Sequence, residues 1–223
     1  KSNKKILITT GATIAPLDPI RFLTNSSSGE TGYVIALEAL ASGHDVTVIA
    51  GQKATSKLEW LNSHPNFKLI RIKTTQDMRE QVLTLFDKSD CYISSAAIGD
   101  IHFETSAEKI KKDKLTDSLK VLNSPDILKE VVGLRKAHHL IIGFAAETEL
   151  SLPILEKKWQ SKPVDLLVGT KVGVSECFGD VSPQYIIYRG QGVVEFEGQL
   201  SKNQLAQKLM DIISSDQTHH LHS

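Results

Sequence analysis

The chain has 223 residues, enough to bury one sizeable core, and its 40% hydrophobic and 23% charged residues are those of an ordinary globular protein. Lys plus Arg and Asp plus Glu both number 26, so no basic excess marks a nucleic-acid partner and any anion site must be local. No apolar run reaches membrane-spanning length and the two cysteines, Cys91 and Cys177, fit no zinc or redox spacing, so a cytoplasmic protein without membrane or nucleic-acid partners is expected.

In chain order, Lys4 to Thr10 (KKILITT) reads as a first buried strand ending in a turn at Gly11. A long loop rich in Pro, Ser and Gly leads to a helix over Thr31 to Ser42. Strands are expected at Val46 to Ala50, Phe67 to Ile72, Asp90 to Ser95, His139 to Phe144 and Asp165 to Gly169. Helical patterns fall between them at Gln76 to Lys88, Pro125 to Leu134 and Leu150 to Gln160. Strands alternating with helices predict a Rossmann-like, doubly wound α/β fold whose mainly parallel sheet is covered on both faces. The polar, lysine-rich stretch 101–122 departs from this rhythm and reads as a flap or hairpin. Tyr185 to Phe196 reads as a hairpin around Gly190-Gln191-Gly192. A closing helix over Lys202 to Ile213 places Leu205, Leu209 and Ile212 on one face.

Residues 1–216 are thus expected to form one domain, followed by a disordered tail over 217–223. The histidines of that tail, His219, His220 and His222, read as a frayed end or tag remnant rather than a metal site. Lys1 in place of Met reads as a processed or excised start. The residues before the first strand are not expected to form a signal peptide. Cys91 lies in an apolar run, where cysteine behaves as a small hydrophobe.

Three constellations can carry chemistry. The first is the loop Gly11-Ala12-Thr13, Pro16-Leu17-Asp18-Pro19, Arg21 and Asn25-Ser26-Ser27-Ser28-Gly29. A Ser/Gly stretch opening a helix presents backbone N–H groups to an anion, although Ser and Asn are also ordinary helix caps. The dinucleotide fingerprint GxGxxG is absent. The second is Ser94-Ser95-Ala96-Ala97, Asp100 and Glu108-Lys109-Ile110-Lys111-Lys112. An Asp beyond a strand end can hold Mg²⁺ against triphosphate oxygens, directly or through water, and flap lysines can close over phosphates. Taken alone, such a run is usually a solvated basic loop. The third is Gly143-Phe144-Ala145-Ala146-Glu147-Thr148, with Lys158 and Lys162 beyond it facing one way if a helix runs that far. Asn123-Ser124-Pro125-Asp126 reads as a cap with proline in the first helical turn.

Together, in order, the stretches GATIAPLDPIRFLTNSSSG, SAAIGD, EKIKK, NSPDIL and GFAAET closely resemble the phosphopantothenoylcysteine synthetase family, often the C-terminal half of a bifunctional coenzyme A biosynthesis protein. The resemblance implies a ligase joining 4'-phosphopantothenate to cysteine, through an acyl-nucleotide, with release of pyrophosphate and a nucleoside monophosphate. It implies catalytic roles for Asn25, Arg21 and Lys109. Nucleotide contacts are implied for Ser94, Ser95, Ala96, Asp100, Lys109, Pro125, Asp126, Ile127, Leu128, Phe144, Lys158 and Lys162. Substrate contacts are implied for Gly11, Asn25, Ser27, Ser28 and Gly29. Mg²⁺ at Asp100 follows from the same likeness. GFAAET is the bacterial-type form, which implies CTP as co-substrate, with ATP the alternative. A homodimer whose flap completes the neighbouring site is also implied, as is a flavin-dependent decarboxylase partner, fused or separate. Ile14 and Glu30 stand where the family pattern has arginine and lysine, and the flap is slightly short. The rival readings are a nicotinamide-dependent oxidoreductase or epimerase on a similar sheet, and a non-catalytic nucleotide-binding protein.

Overall fold

The structure, a computed structural model, describes residues 3–112, 119–173 and 182–215. The first apolar run forms β1 (Lys5–Thr10), and the loop after it folds into a small hairpin, β2 (Ile14–Pro16) and β3 (Phe22–Thr24). There follow α1 (Glu30–Ala41), β4 (Asp45–Gly51), a short α2 (Lys57–Trp60), β5 (Phe67–Ile72), α3 (Thr75–Phe86) and β6 (Cys91–Ser94). The flap begins and ends in a second hairpin, β7 (Ile101–Phe103) with β8 (Val121–Asn123). The remainder is α4 (Ile127–Gly133), β9 (Leu140–Glu147), α5 (Leu152–Ser161), β10 (Leu166–Lys171), β11 (Gln184–Gly190), β12 (Val193–Gln199) and α6 (Lys202–Ser215).

Eight strands form one sheet in the order β12-β11-β10-β9-β6-β1-β4-β5. The six from β10 to β5 run parallel, and β11 and β12 add an antiparallel edge. The central strands read as unbroken apolar runs because both faces are covered. Ile6 and Ile8 point to one layer with Ile35, Leu205 and Leu209, while Leu7 points to the other with Val82, Val131 and Leu155. Helices α1 and α6 therefore cover one face, and α3, α4 and α5 the other. The expected doubly wound α/β fold is the one observed.

Chain order reverses direction across the sheet between β1 and β6, and this topological switch opens a crevice beyond their carboxyl ends. Helix α3 starts there with a capping box: Thr74 Oγ1 accepts from Asp77 N at 3.1 Å, and Asp77 Oδ2 accepts from Thr74 N at 2.8 Å. Two expectations are corrected. Helix α4 begins at Ile127, capped by Asp126, whose Oδ1 accepts from Lys129 N at 3.1 Å, so Pro125 precedes the cap instead of occupying the first turn. Helix α5 ends at Ser161, leaving Lys162 as its C-cap, outside the helix, rather than on one helical face with Lys158. Cys177, the tail histidines and most of the LTDSLKV run lie outside the described residues.

Candidate active site

The loops that leave β1 and β6 continue to pair past the strand ends. Ala97 N donates to Gly11 O at 2.9 Å, and Ala12 bridges Ala97. Thr13, only 2% exposed, is the pin of this junction. Its Oγ1 accepts the Gly99 N–H at 3.0 Å and lies 2.9 Å from Thr75 Oγ1 at the start of α3. One hydroxyl thus ties the first loop, the second loop and a helix N-terminus.

Two cavities adjoin at this junction. The larger, about 600 Å³, is lined by Thr13, Asn25, Thr75, Asp100, His102 and Ser124 among others. The smaller, about 380 Å³, is lined by Ser94, Ala96, Asp126, Ile127, Leu128, Phe144 and Lys162. Gly99, Asp100, Ser124 and Pro125 belong to both walls, and Ser124 N donates to Asp100 O at 2.8 Å across that ridge. Asp100 is exposed, so its carboxylate can reach a ligand spanning the two. A third cavity, also about 380 Å³, lies on the other side of Phe144 and is lined by Thr31, Thr170, Lys171, Tyr185 and Lys202.

The flap is anchored to the β2–β3 turn through Asp18. The Asp18 side chain is fully buried and collects every donor in reach: Ile20 N at 3.0 Å, Arg21 N at 2.9 Å, Arg21 Nε at 2.9 Å and Ile110 N at 3.2 Å. Arg21 also pairs with Asp18 through Nη2, which donates to Ile110 O at 2.7 Å. The Arg21 guanidinium, helped by these backbone amides, holds the Asp18 carboxyl well below the usual carboxylate range against the opposing effect of burial. Ser106 N donates to Leu17 O at 3.1 Å on the same seam.

The structure brings together Asn25, Asp100, Ser94, Ala96, Pro125, Asp126, Ile127, Leu128, Phe144 and Lys162 around the two adjoining cavities. Other expected residues have different placements. Arg21 is engaged by Asp18 and the flap and lines neither cavity. Ser95 faces back into the sheet, its Oγ donating to Thr9 O at 2.7 Å. Lys158 is paired with Glu147 and lines neither cavity. Lys162 pairs with Asp126 at 2.7 Å, which turns it onto the cavity rim. Gly11 and Gly29 are buried with positive φ, of 73° and 76°, and a Cβ on either would fall 2.6 or 2.7 Å from Ala54 Cβ. Their requirement for glycine is therefore explained by packing. Ser28 is exposed beside them, its Oγ 3.4 Å from Glu30 N, and Ser27 is half-buried at the same helix start. Lys109 is exposed and touches neither cavity of its own chain. Among the described residues no group of three or more His, Cys, Asp or Glu is arranged to hold a metal. A lone Asp100 still suits Mg²⁺, which takes one or two carboxylates and completes its shell with phosphates and water. No described helix is long and apolar enough to cross a membrane.

Sequence reading passed over His102, Thr75, Lys171 and Lys202. No motif marks them, and only the fold carries them to a cavity wall. Glu30, the acidic departure at the start of α1, is paired with Lys57 Nζ at 2.5 Å. A cation thus still lies beside that helix start, brought by α2.

The family model described as the DNA/pantothenate metabolism flavoprotein C-terminal domain matches residues 1–217. The coenzyme A biosynthesis bifunctional protein CoaBC of Borreliella burgdorferi is 30% identical over 216 residues, covering 95% of this chain and 52% of that protein. Its counterpart in Bacillus subtilis is 36% identical over 170 residues, covering 76% and 40%. A crystal structure of the C-terminal domain of a CoaBC protein superposes with a TM-score of 0.76 at 29% identity, covering 96% of this chain and 95% of that one. The chain spans about half the length of the curated relatives it matches.

Proposed function

The chain belongs to the DNA/pantothenate metabolism flavoprotein C-terminal domain family, and from that premise we propose that it is a phosphopantothenate–cysteine ligase of coenzyme A biosynthesis. The observation that carries the reading is the pair of cavities divided by Asp100 and Ser124 at the switch point of the sheet. One has an amide, Asn25, on its wall. The other has the small strand-end residues, the Asp126 cap and the Phe144 ring suited to a nucleotide.

In this reading the pantothenate carboxylate lies in the larger cavity and the nucleoside triphosphate in the smaller, so the α-phosphate meets the carboxylate at the ridge. The carboxylate oxygen attacks the α-phosphorus and pyrophosphate leaves. The cysteine amine then attacks the acyl carbon, and the nucleoside monophosphate leaves with the electron pair of the broken C–O bond. Asn25 donates its amide N–H to the oxyanion of that second step without being consumed. Arg21 acts on the flap through Asp18 rather than on the substrate. Mg²⁺ on Asp100 would neutralise phosphate charge, and CTP is preferred to ATP.

The protein is further proposed to work as a homodimer. Lys109 lies outside its own chain's cavities, and the two hairpins beside it expose Ile20 (61%), Leu23 (47%) and Val121 (53%). A second copy docked on this apolar surface would cover it and offer Lys109 to the neighbouring triphosphate. A flavin-dependent decarboxylase, fused or separate, and a cytoplasmic location complete the proposal. The test is pyrophosphate release with phosphopantothenate, Mg²⁺ and each triphosphate in turn, followed by monophosphate release on adding cysteine. A burst with CTP exceeding that with ATP supports the reading. No pyrophosphate with any nucleotide, in protein that is folded and dimeric, rejects it.

A further inference from the structure

The loops on the substrate side of the site rest on a third loop. Between β4 and α2 the chain runs through Gly51-Gln52-Lys53-Ala54-Thr55, and the Ala54 methyl is buried against both Gly11 and Gly29. Beside it, Thr55 N donates to Ser28 O at 2.8 Å. These contacts fix the helix end of segment 25–29. Its other end is fixed where Thr24 Oγ1 donates to Thr13 O at 2.9 Å. Asn25 is suspended between the two ties, on the wall of the larger cavity. Loop 51–55 lines neither of the two adjoining cavities and acts only through what it supports.

That loop is held by Arg71, the penultimate residue of edge strand β5. Its Nη1 donates to Gly51 O at 2.9 Å and to Ala54 O at 3.1 Å, and its Nη2 donates to Thr55 O at 3.1 Å. Glu59 on α2 takes the remaining edge, accepting from Nε at 3.0 Å and from Nη2 at 2.7 Å. All five guanidinium N–H groups are thus used within the protein, so Arg71 is no spare cation for an anionic ligand. A rigid planar fork spreads its donors over separate carbonyls, which the single nitrogen of a lysine does not reproduce. We propose that Arg71 is a positioning residue for amide formation, an inference that rests on the ligase reading above. By clamping the carbonyls of Gly51, Ala54 and Thr55 it seats Ala54 and Thr55, and through them it sets segment 25–29 and the Asn25 amide.

The test uses Arg71→Met, which keeps an unbranched stem and removes every donor. KM values for phosphopantothenate and CTP are measured by pyrophosphate release, and amide formation by quenched flow after cysteine is added to the loaded enzyme. The expected result is a phosphopantothenate KM raised on the order of 10-fold, amide formation slowed about 10- to 10²-fold, and an unchanged KM for CTP. The split arises because segment 25–29 shares no wall with the smaller cavity. Arg71→Lys should recover part of both losses. Ala54→Gly, which removes only the methyl, should show the same split in milder form, and it serves should Arg71→Met not fold. Hydrogen exchange should quicken over 25–29 and 51–55 in Arg71→Met while residues 105–112 keep their original rate. Unchanged phosphopantothenate KM and amide formation in the folded variants would overturn the proposal. So would equal rises in both KM values, which would make Arg71 a general stabiliser, or unchanged exchange over 25–29. A lack of pyrophosphate release by the unmodified protein would instead reject the ligase reading, and exchange would still test the clamp.

Discussion

Replacing Thr13 by Val tests the claim that one hydroxyl holds the site together. Valine keeps the shape and the β-branch, so the perturbation is the loss of one oxygen at a position 2% exposed. Two groups lose their partner: the Gly99 amide, now 3.0 Å from that oxygen, and the Thr75 hydroxyl at 2.9 Å. Thr75 is 7% exposed and Gly99 half-buried, so water replaces neither bond fully. An unmet buried polar group costs about 1–3 kcal/mol, and two of them, one with partial access to water, give an expected loss of about 2–4 kcal/mol. Urea unfolding should show a lower midpoint at an unchanged slope. In a cycle with Thr75→Val, the double variant should be less destabilised than the sum, with a coupling of about 1 kcal/mol from the shared bond. The KM for the acid substrate should rise as well, because the same residue sets the cavity wall. A loss below about 0.5 kcal/mol, the range of an ordinary surface change, would show that the junction is held by its backbone pairing alone.

Asn25→Ala should keep a pyrophosphate burst while amide formation slows on the order of 10²-fold, and full ligase turnover would remove Asn25 from the oxyanion. Asp18→Asn should free residues 105–112 to faster hydrogen exchange. In the unaltered protein Asp18 has its folded pKa depressed, so this anchor is intact above the ordinary carboxylate range and is lost only as pH falls through the folded value; flap exchange that rises already near about pH 5 would contradict it. His139 is 4% exposed, and burial, then the neighbouring His138, pushes its pKa below the usual histidine value. Its contribution is therefore present above about pH 6.5 and lost as pH falls below it, and His139→Gln should flatten that slope in denaturation measured from about pH 7 to 5.5. Gly190→Ala should lower the melting temperature sharply, since Gly190 has φ 90° and an added Cβ would lie 2.1 Å from the Trp159 ring.

The sheet was legible because its strands are buried on both faces. KILITT and CYIS are continuous apolar or small runs whose partners are supplied by the fold, and each stands within a residue or two of its expected limits. Helices α1, α3 and α6 stand within about two residues of the ranges expected from their patterns. What escaped notice was short and exposed. Strand β3, Phe22–Thr24, is exposed at every position, and β2 carries Pro16, so neither shows the alternation of a half-buried strand. Helix α2 has four residues, too few for a period. Pro125 misled for a specific reason: Asp126 can cap, and a capping side chain one residue later outcompetes proline's preference for the first turn.

The site was legible as a set of loops but not as an arrangement. Asp18 belongs to a readable run, yet nothing in DPIR says that its carboxylate is buried and holds Ile110, 92 positions away. Arg21 next to it is expected beside the substrate, and here its guanidinium is engaged by a buried carboxylate three residues away. Lys158 is likewise paired, with Glu147. Basic side chains are thus the least readable members of an anion site, since any nearby carboxylate can redirect them at small cost. Residues read by size and backbone role, such as Ala96 or Leu128, have no such alternative partner and arrive where the pattern puts them. Lys109 follows the same logic from the other side. The flap that carries it is tied down on either side, at Ile110 by Asp18 and at Ser106 by Leu17 O. In the proposed dimer a second chain brings the triphosphate to Lys109, so dilution below the dimer dissociation range should abolish the pyrophosphate burst while leaving the fold intact.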